Sequence, residues 1–156
     1  MNKIKYLIFL LPIMTLSACQ DDPHKKYEGR NPKAGLFLEE GKDLMLKDNT
    51  YMDAETGKPY SGEIKGAIPQ DVTQRMDAKM KNGKFEGEYK VYFTENGKEF
   101  LRLKRTYKNG IEVGTSTKYY PDGKVLAEFK YDDQGKLLCS VNYDKTGKKT
   151  FDDCKQ

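Results

Sequence analysis

From residue 50 onward the chain alternates short runs rich in aromatic and aliphatic residues with brief polar breaks, each carrying a turn-forming residue. The runs include Tyr89, Val91, Tyr92 and Phe93; Leu101, Leu103 and Tyr107; Tyr119 and Tyr120; Val125, Phe129 and Tyr131; and Leu137, Val141 and Tyr143. Most breaks centre on a glycine: Gly57, Gly83, Gly97, Gly110, Gly123, Gly135 or Gly147. From Gly83 the steps are 14, 13, 13, 12 and 12 residues, and the gap of 26 before it is two such steps, with one turn supplied near Ile68, Pro69, Gln70 and Asp71. About eight residues per run leave no room for helices between strands. Asn-Gly and Asp-Gly tolerate the positive φ that tight turns of twisted antiparallel strands demand, and Asn-Gly occurs three times here beside Asp122-Gly123. Connections this short permit only antiparallel pairing. The pattern predicts an all-β domain, an antiparallel meander of β-hairpins.

The repeating unit is a pair of strands. Gly57, Gly83 and Gly110 are each followed by a second glycine, at Gly62, Gly87 and Gly114, so that Asn82-Gly83-Lys84-Phe85-Glu86-Gly87 returns as Asn109-Gly110-Ile111-Glu112-Val113-Gly114. A three-residue loop at Asn96 to Lys98 would set Phe93 opposite Leu101 and Val91 opposite Leu103, collecting apolar residues on one face; a one-residue slip would scatter them. A mean hydropathy of −0.86 argues against a thick core. The eleven tyrosines offer another source of cohesion, since each brings a large apolar ring whose hydroxyl can stay wet.

Upstream the pattern changes twice. Leu36 to Leu46 mixes apolar and charged residues without sustained period and reads equally as a short helix or a strand. Gln20 to Ala34 is polar, holds Pro23 and Pro32, and reads as a flexible tether. Before it, Lys3 and Lys5 precede the run of Leu7, Ile8, Phe9, Leu10, Leu11, Ile13 and Met14, which stops at Gln20-Asp21-Asp22. This is the pattern of a bacterial export signal, too short for a spanning helix of about 20 residues. Leu16-Ser17-Ala18-Cys19 resembles a lipobox. The resemblance implies cleavage before Cys19, lipid on its thiol and acylation of the new amino end, two or three chains being enough for firm anchoring; an ordinary secretory signal that ends in Cys is the alternative. Gln20 in place of Asp after the lipidated Cys implies the outer membrane in enteric bacteria, although Asp21 follows directly. The expected organisation is a signal peptide over 1–18, lipidated Cys19 and tether over 19–35, and the β-repeat domain over 36–156.

Loss of Lys3 and Lys5 with the signal lowers the formal net charge from +4 to +2. With Lys and Glu intermixed and no basic block, a nucleic-acid partner is not expected. Nor does the chain present catalytic machinery. Its single histidine, His24, lies in the tether, which leaves no Ser-His-Asp or Cys-His pair and no zinc spacing. Glu86, Glu88, Asp132, Asp133, Asp152 and Asp153 are the carboxylates available for acid/base work, but all sit at expected turns or strand ends. The glycine turns precede no helix and so form no phosphate loop, and Asp132-Asp133 lacks a calcium-loop series. No metal, cofactor or small-molecule substrate is expected.

With Cys19 lipidated, Cys139 and Cys154 remain, an even number for an oxidising compartment. A two-residue turn at Thr146-Gly147 would place them directly opposite each other, within the Cα separation a disulfide needs. A three-residue turn would shift the register by one and strain the bond, and two free thiols are the alternative.

The recurring Asn-Gly-Lys-x-x-Gly followed by paired aromatics resembles the variant MORN repeat of the bacterial YwqK-like antitoxin proteins, and Thr56-Gly57-Lys58-Pro59-Tyr60-Ser61-Gly62-Glu63 is similar to the way those proteins begin. The likeness covers about residues 50–150; it departs where Gly135 lacks a second glycine and where Pro69 replaces a turn. It implies a non-enzymatic protein that binds a toxin. The combined expectation is a lipid-anchored envelope protein that confers immunity by occluding a toxin acting in the periplasm or on membrane lipid. Its contact residues are sought among Tyr89, Tyr92, Tyr107, Tyr119 and Tyr120, because tyrosine gives contact area at low ordering cost. An envelope scaffold docking on a resident membrane or cell-wall complex is the alternative, and a hydrolase with a carboxylate pair a third reading.

Overall fold

The computed structural model describes residues 35–38, 42–68 and 71–154. The export signal, Cys19, His24, nearly all of the tether and the Pro69-Gln70 turn lie outside the described residues. The described chain is all-β, without helix, and its strands form one antiparallel sheet. They are β1 (Leu36–Leu38), β2 (Asp43–Lys47), β3 (Thr50–Asp53), β4 (Gly62–Ile68), β5 (Asp71–Lys81), β6 (Lys84–Glu95), β7 (Lys98–Lys108), β8 (Ile111–Tyr119), β9 (Val125–Tyr131), β10 (Leu137–Tyr143) and β11 (Lys149–Asp152).

From β4 to β11 neighbours in sequence are neighbours in space, giving the expected meander. The first four strands depart from it. Their order is β4-β1-β2-β3, a Greek key in which the return from β3 sets β4 beside β1. The described residues of the segment of undecided period therefore include two strands, β1 and most of β2.

This return curls the sheet. The Tyr51 N–H donates to the Gly83 carbonyl (2.8 Å), the Gly83 N–H to the Tyr60 carbonyl (2.7 Å) and the Tyr60 N–H to the Tyr51 carbonyl (2.9 Å), so the outer strand β3 is tied to the β5–β6 turn. The edge is thereby covered rather than left to template another chain. Curling also creates an inside. Leu36, Leu38, Leu44, Ile64, Met76, Ala78 and Met80 form a buried cluster, against which Tyr51, Tyr60, Phe85 and Tyr89 pack.

Two kinds of turn divide the meander. Asn82-Gly83, Asn96-Gly97 and Asn109-Gly110 are two-residue turns with both residues at positive φ, the geometry that matches strand twist. The β8–β9, β9–β10 and β10–β11 turns are instead three-residue loops, in each of which the glycine N–H donates three residues back, to the carbonyl of Tyr120, Asp132 or Asp144. At one end of the sheet the two kinds of turn also differ in what receives their N–H groups. The Asn82 N–H donates to Ser61 Oγ (2.8 Å) and the Asn109 N–H to Glu86 Oε2 (2.7 Å), each acceptor standing just before a second glycine. The corresponding residue in the next unit is Val113, which has no side-chain acceptor. There the turn carries its own: Asp132 Oδ1 accepts from the Gln134 and Lys136 N–H groups, both at 2.9 Å. Two of the three second glycines are bulge residues, while Gly62 pairs in regular register with Met80. Gly87 (φ 77°) and Gly114 (φ 70°) lie where the β5–β6 and β7–β8 registers slip.

Two register expectations require correction. The β6–β7 loop has two residues, so Phe93 opposes Phe100 rather than Leu101; a bulge at Arg102 then restores Val91 opposite Leu103. At β10–β11 the turn has three residues rather than two, with Tyr143 opposite Lys149, and an extra residue, Thr150, returns the register so that Asn142 faces Phe151 and Val141 faces Asp152. Turn length and strand register are uncoupled by a bulge in both hairpins. The disulfide between Cys139 and Cys154 forms in that restored register, with Cα atoms 4.9 Å apart and the pair 15 residues apart in sequence.

Candidate functional site

Alternate turns fall at the same end of the sheet, and three of them frame a cleft there. Leu46, Asn49 and Tyr51 come from the β2–β3 hairpin, Gly83, Lys84 and Phe85 from β5–β6, and Tyr107, Asn109, Gly110 and Ile111 from β7–β8, around a volume of about 440 Å³. The turns are stacked onto their neighbours: the Gly110 N–H donates to the Phe85 carbonyl (2.9 Å), just as β3 is tied to Gly83. At Gly83 the approach is so close that a Cβ would lie 2.3 Å from Thr50 Cγ2 and 2.7 Å from the Tyr51 carbonyl oxygen. Only glycine satisfies both that contact and the φ of 75°.

The rings of Tyr51, Phe85 and Tyr107 form the floor, and Tyr89 packs against the last two without lining the cleft. Phe85 lies 5.5 Å from Tyr51, 5.0 Å from Tyr89 and 5.4 Å from Tyr107, and Tyr89 meets Tyr107 edge-on at 5.5 Å. Such tilted pairs add to the burial of the rings themselves. Burial pushes the Tyr89 phenol up to about 12, and raises Tyr51 with help from Tyr107. Both hydroxyls therefore stay protonated in neutral solution. Beside Tyr89 and Tyr107 on the same face, Arg105 Nη1 donates to the Tyr107 hydroxyl (3.1 Å) and pairs with Glu112 (3.4 Å), while Arg105 Nε and Glu112 Oε1 are shielded without a partner among the described residues. At the rim, Leu46 is 52% exposed and Ile111 42%.

Of the tyrosines singled out from sequence, the structure brings together Tyr89 and Tyr107 and disperses the others. Tyr92 faces the opposite side of the sheet, since its partner Arg75 alternates with the core residues Met76 and Ala78. There the Arg75 guanidinium sits 4.2 Å above the Tyr92 ring and forks onto Glu99 (2.8 and 2.9 Å), with Asp77 as a further partner. Tyr119 and Tyr120 lie at the other end of β8; the Tyr120 hydroxyl donates to the Tyr143 carbonyl (2.9 Å). Sequence reading missed Tyr51, Lys84, Phe85 and Ile111. The available signal was positional, because the last three directly follow the Asn-Gly turns of the repeat.

The carboxylates are taken up by their surroundings. Glu86 accepts from the Asn109 N–H, Asp132 closes its own turn, Asp152 pairs with Lys149 (2.6 Å), and Asp153 accepts from the Ser140 N–H. Glu88 bridges Lys90 and Lys104 at 2.5 Å each, and hydrogen bonds from Lys104 and then Lys90 hold its carboxyl at about 2. Asp133 is exposed in a turn. Asp153 also lies beside Cys139 and Cys154 in a grouping of metal-ligand type, but both sulfurs are consumed by the disulfide.

No family model matches the chain, and no curated protein matches it. Among solved structures, the crystal structure of TarM is similar with a TM-score of 0.31 and 14% identity, over 76% of this chain and 19% of that one. The chain thus spans about a fifth of TarM's length, and a likeness of that degree carries no argument.

Proposed function

We propose that this protein is a non-enzymatic binding protein of the cell envelope, held to a bilayer through Cys19, that confers immunity by occluding a toxin acting in the periplasm or on membrane lipid. The observation that supports a binding role is the cleft, where aromatic rings lie beside exposed Leu46 and Ile111 in a recess framed by three turns. Aromatic anchors in a partly desolvated recess, ringed by polar groups, are the usual centre of a protein–protein contact. The lipid anchor rests on the likeness of Leu16-Ser17-Ala18-Cys19 to a lipobox, and the toxin as partner on the likeness of the repeat to YwqK-like proteins.

The test is affinity capture from secreted and periplasmic fractions with the oxidised protein as bait, read by mass spectrometry. Immunity predicts a near-stoichiometric secreted effector that is lost when Leu46 and Ile111, both on the exposed rim, are replaced by Asp. Recovery of resident envelope proteins alone promotes the scaffold reading, and capture that survives both substitutions removes the cleft from the contact.

A further inference from the structure

The rim of the cleft has a one-sided chemistry. Among the described residues none that lines it is acidic, whereas Lys84, Asn49, Asn109 and the hydroxyls of Tyr51 and Tyr107 all offer donors. Two acids adjoin the lining and are engaged there, Glu86 by the Asn109 N–H and Glu112 by Arg105, which it shares with the Tyr107 hydroxyl. Lys84 has no ion-pair partner among the described residues, as is also true of Lys81 and Lys108, and what sets it apart is its place in the lining of the cleft. Because the Tyr107 oxygen already accepts from Arg105 Nη1, its own proton is left to donate.

We infer that the cleft recognises an extended protein segment in which a carboxylate side chain neighbours a bulky apolar one. The apolar side chain lies on Phe85 between Leu46 and Ile111, and the carboxylate meets Lys84 and the Tyr107 hydroxyl. This inference rests on the protein-binding role above and specifies the chemistry of the partner. Charge-assisted hydrogen bonds at the edge of a desolvated recess give direction and register, which the rings alone do not supply. An anionic lipid headgroup shares the carboxylate's charge but brings no side chain to seat on Phe85.

A random heptapeptide display library panned against the purified, disulfide-bonded protein tests this. The expected winners carry Asp or Glu within two positions of Phe, Leu or Met. Their affinity falls at least tenfold on Lys84→Glu and a few-fold on Tyr107→Phe, which removes one hydroxyl and keeps the ring; peptides with Lys in place of the acid bind Lys84→Glu better than the unaltered protein. Circular dichroism and the unfolding midpoint establish that both variants are folded. Winners without acids, acidic winners indifferent to Lys84→Glu, no enrichment, or binding of phosphatidylglycerol vesicles in place of peptides would each overturn the inference. The two readings fail separately. A captured natural partner that binds Lys84→Glu unchanged defeats the acidic-segment inference and leaves the binding role standing, whereas peptides that obey the rule without any captured protein leave the cleft chemistry standing and defeat immunity.

Discussion

The first six strands and the last four are built from similar hairpins, yet they hold together in different ways. In β1–β6 the Greek-key return curls the sheet over itself, and Leu36, Leu38, Leu44 and Ile64 are almost completely removed from water. In β8–β11 the sheet remains a single layer. Its buried side chains are only Ser116, Ala127 and Val141, while Leu137, Leu138 and Phe151 stay between 48% and 60% exposed. Where no second layer exists, cohesion comes from main-chain pairing, from turns that satisfy their own N–H groups, and from the Cys139–Cys154 bond. A polar sheet of this kind can extend strand by strand, but it acquires an interior, and with it a cleft, only where it bends. The cleft lies where the curled region meets the β7–β8 turn.

The sharpest way to break this contrast is a pair of glycine substitutions. Gly83→Ala meets both a positive φ and the backbone of Tyr51, whereas Gly147→Ala meets only the φ of 86° with open space around it. Left-handed strain costs about 1–2 kcal/mol, and forced overpacking adds about 1–3 kcal/mol. Urea unfolding is expected to show a loss of about 3 kcal/mol or more at Gly83 and no more than about 2 kcal/mol at Gly147; equal losses would mean that the closure of β3 onto the β5–β6 turn does not matter. A similar gap separates Leu44→Ala, expected to cost about 2–5 kcal/mol as a buried truncation, from Phe151→Ala, which as a half-exposed change should stay within about 0.5 kcal/mol.

Reducing the disulfide tests whether the two regions are independent. A closed loop of about 15 residues is worth about 3 kcal/mol in the chain-entropy account. Hydrogen exchange should quicken in β10 and β11 and leave β4–β6 protected. Loss of protection in β4–β6 as well would make the sheet a single cooperative unit.

The smallest expected effects concern ionisation. The Tyr89 phenol is raised by burial to about 12, so its contribution is complete below the unfolded value of 10 and disappears as pH rises through about 12. Tyr89→Phe should therefore raise the pH of alkaline unfolding, followed by circular dichroism. Glu88 is depressed from 4.5 to about 2, so its contribution is complete above 4.5 and lost as pH falls through about 2. The site is exposed and screened, and Glu88→Gln should cost less than about 1 kcal/mol at neutral pH, a difference that closes toward pH 2 in urea titrations.

Much of this architecture was legible in the chain. Asn-Gly at Gly83, Gly97 and Gly110 marks two-residue turns, because few other dipeptides accept two successive positive φ values at little cost. The spacing of the glycines marks strand length. The candidate site was legible only in part. Tyr107 was found, with Tyr89 packed against it, but Tyr51, which precedes the first glycine turn of the repeat, and Lys84, Phe85 and Ile111 acquire meaning only when three turns stack. Tyr92 looked equivalent to Tyr89 in sequence, yet strand alternation sends it to the other face.

The sequence by itself determined local chemistry: which dipeptides turn, how long each strand runs, and that two cysteines lie within one hairpin of each other. Tertiary structure alone decided the register at β6–β7 and β10–β11, where bulges at Arg102 and Thr150 correct what the turns impose, and the return of β4 to β1 that curls the sheet. The physical reason is range. A turn is set by the φ preferences of two or three adjacent residues, whereas a bulge or a curl depends on pairing and burial between residues far apart in the chain, such as Tyr51 with Gly83.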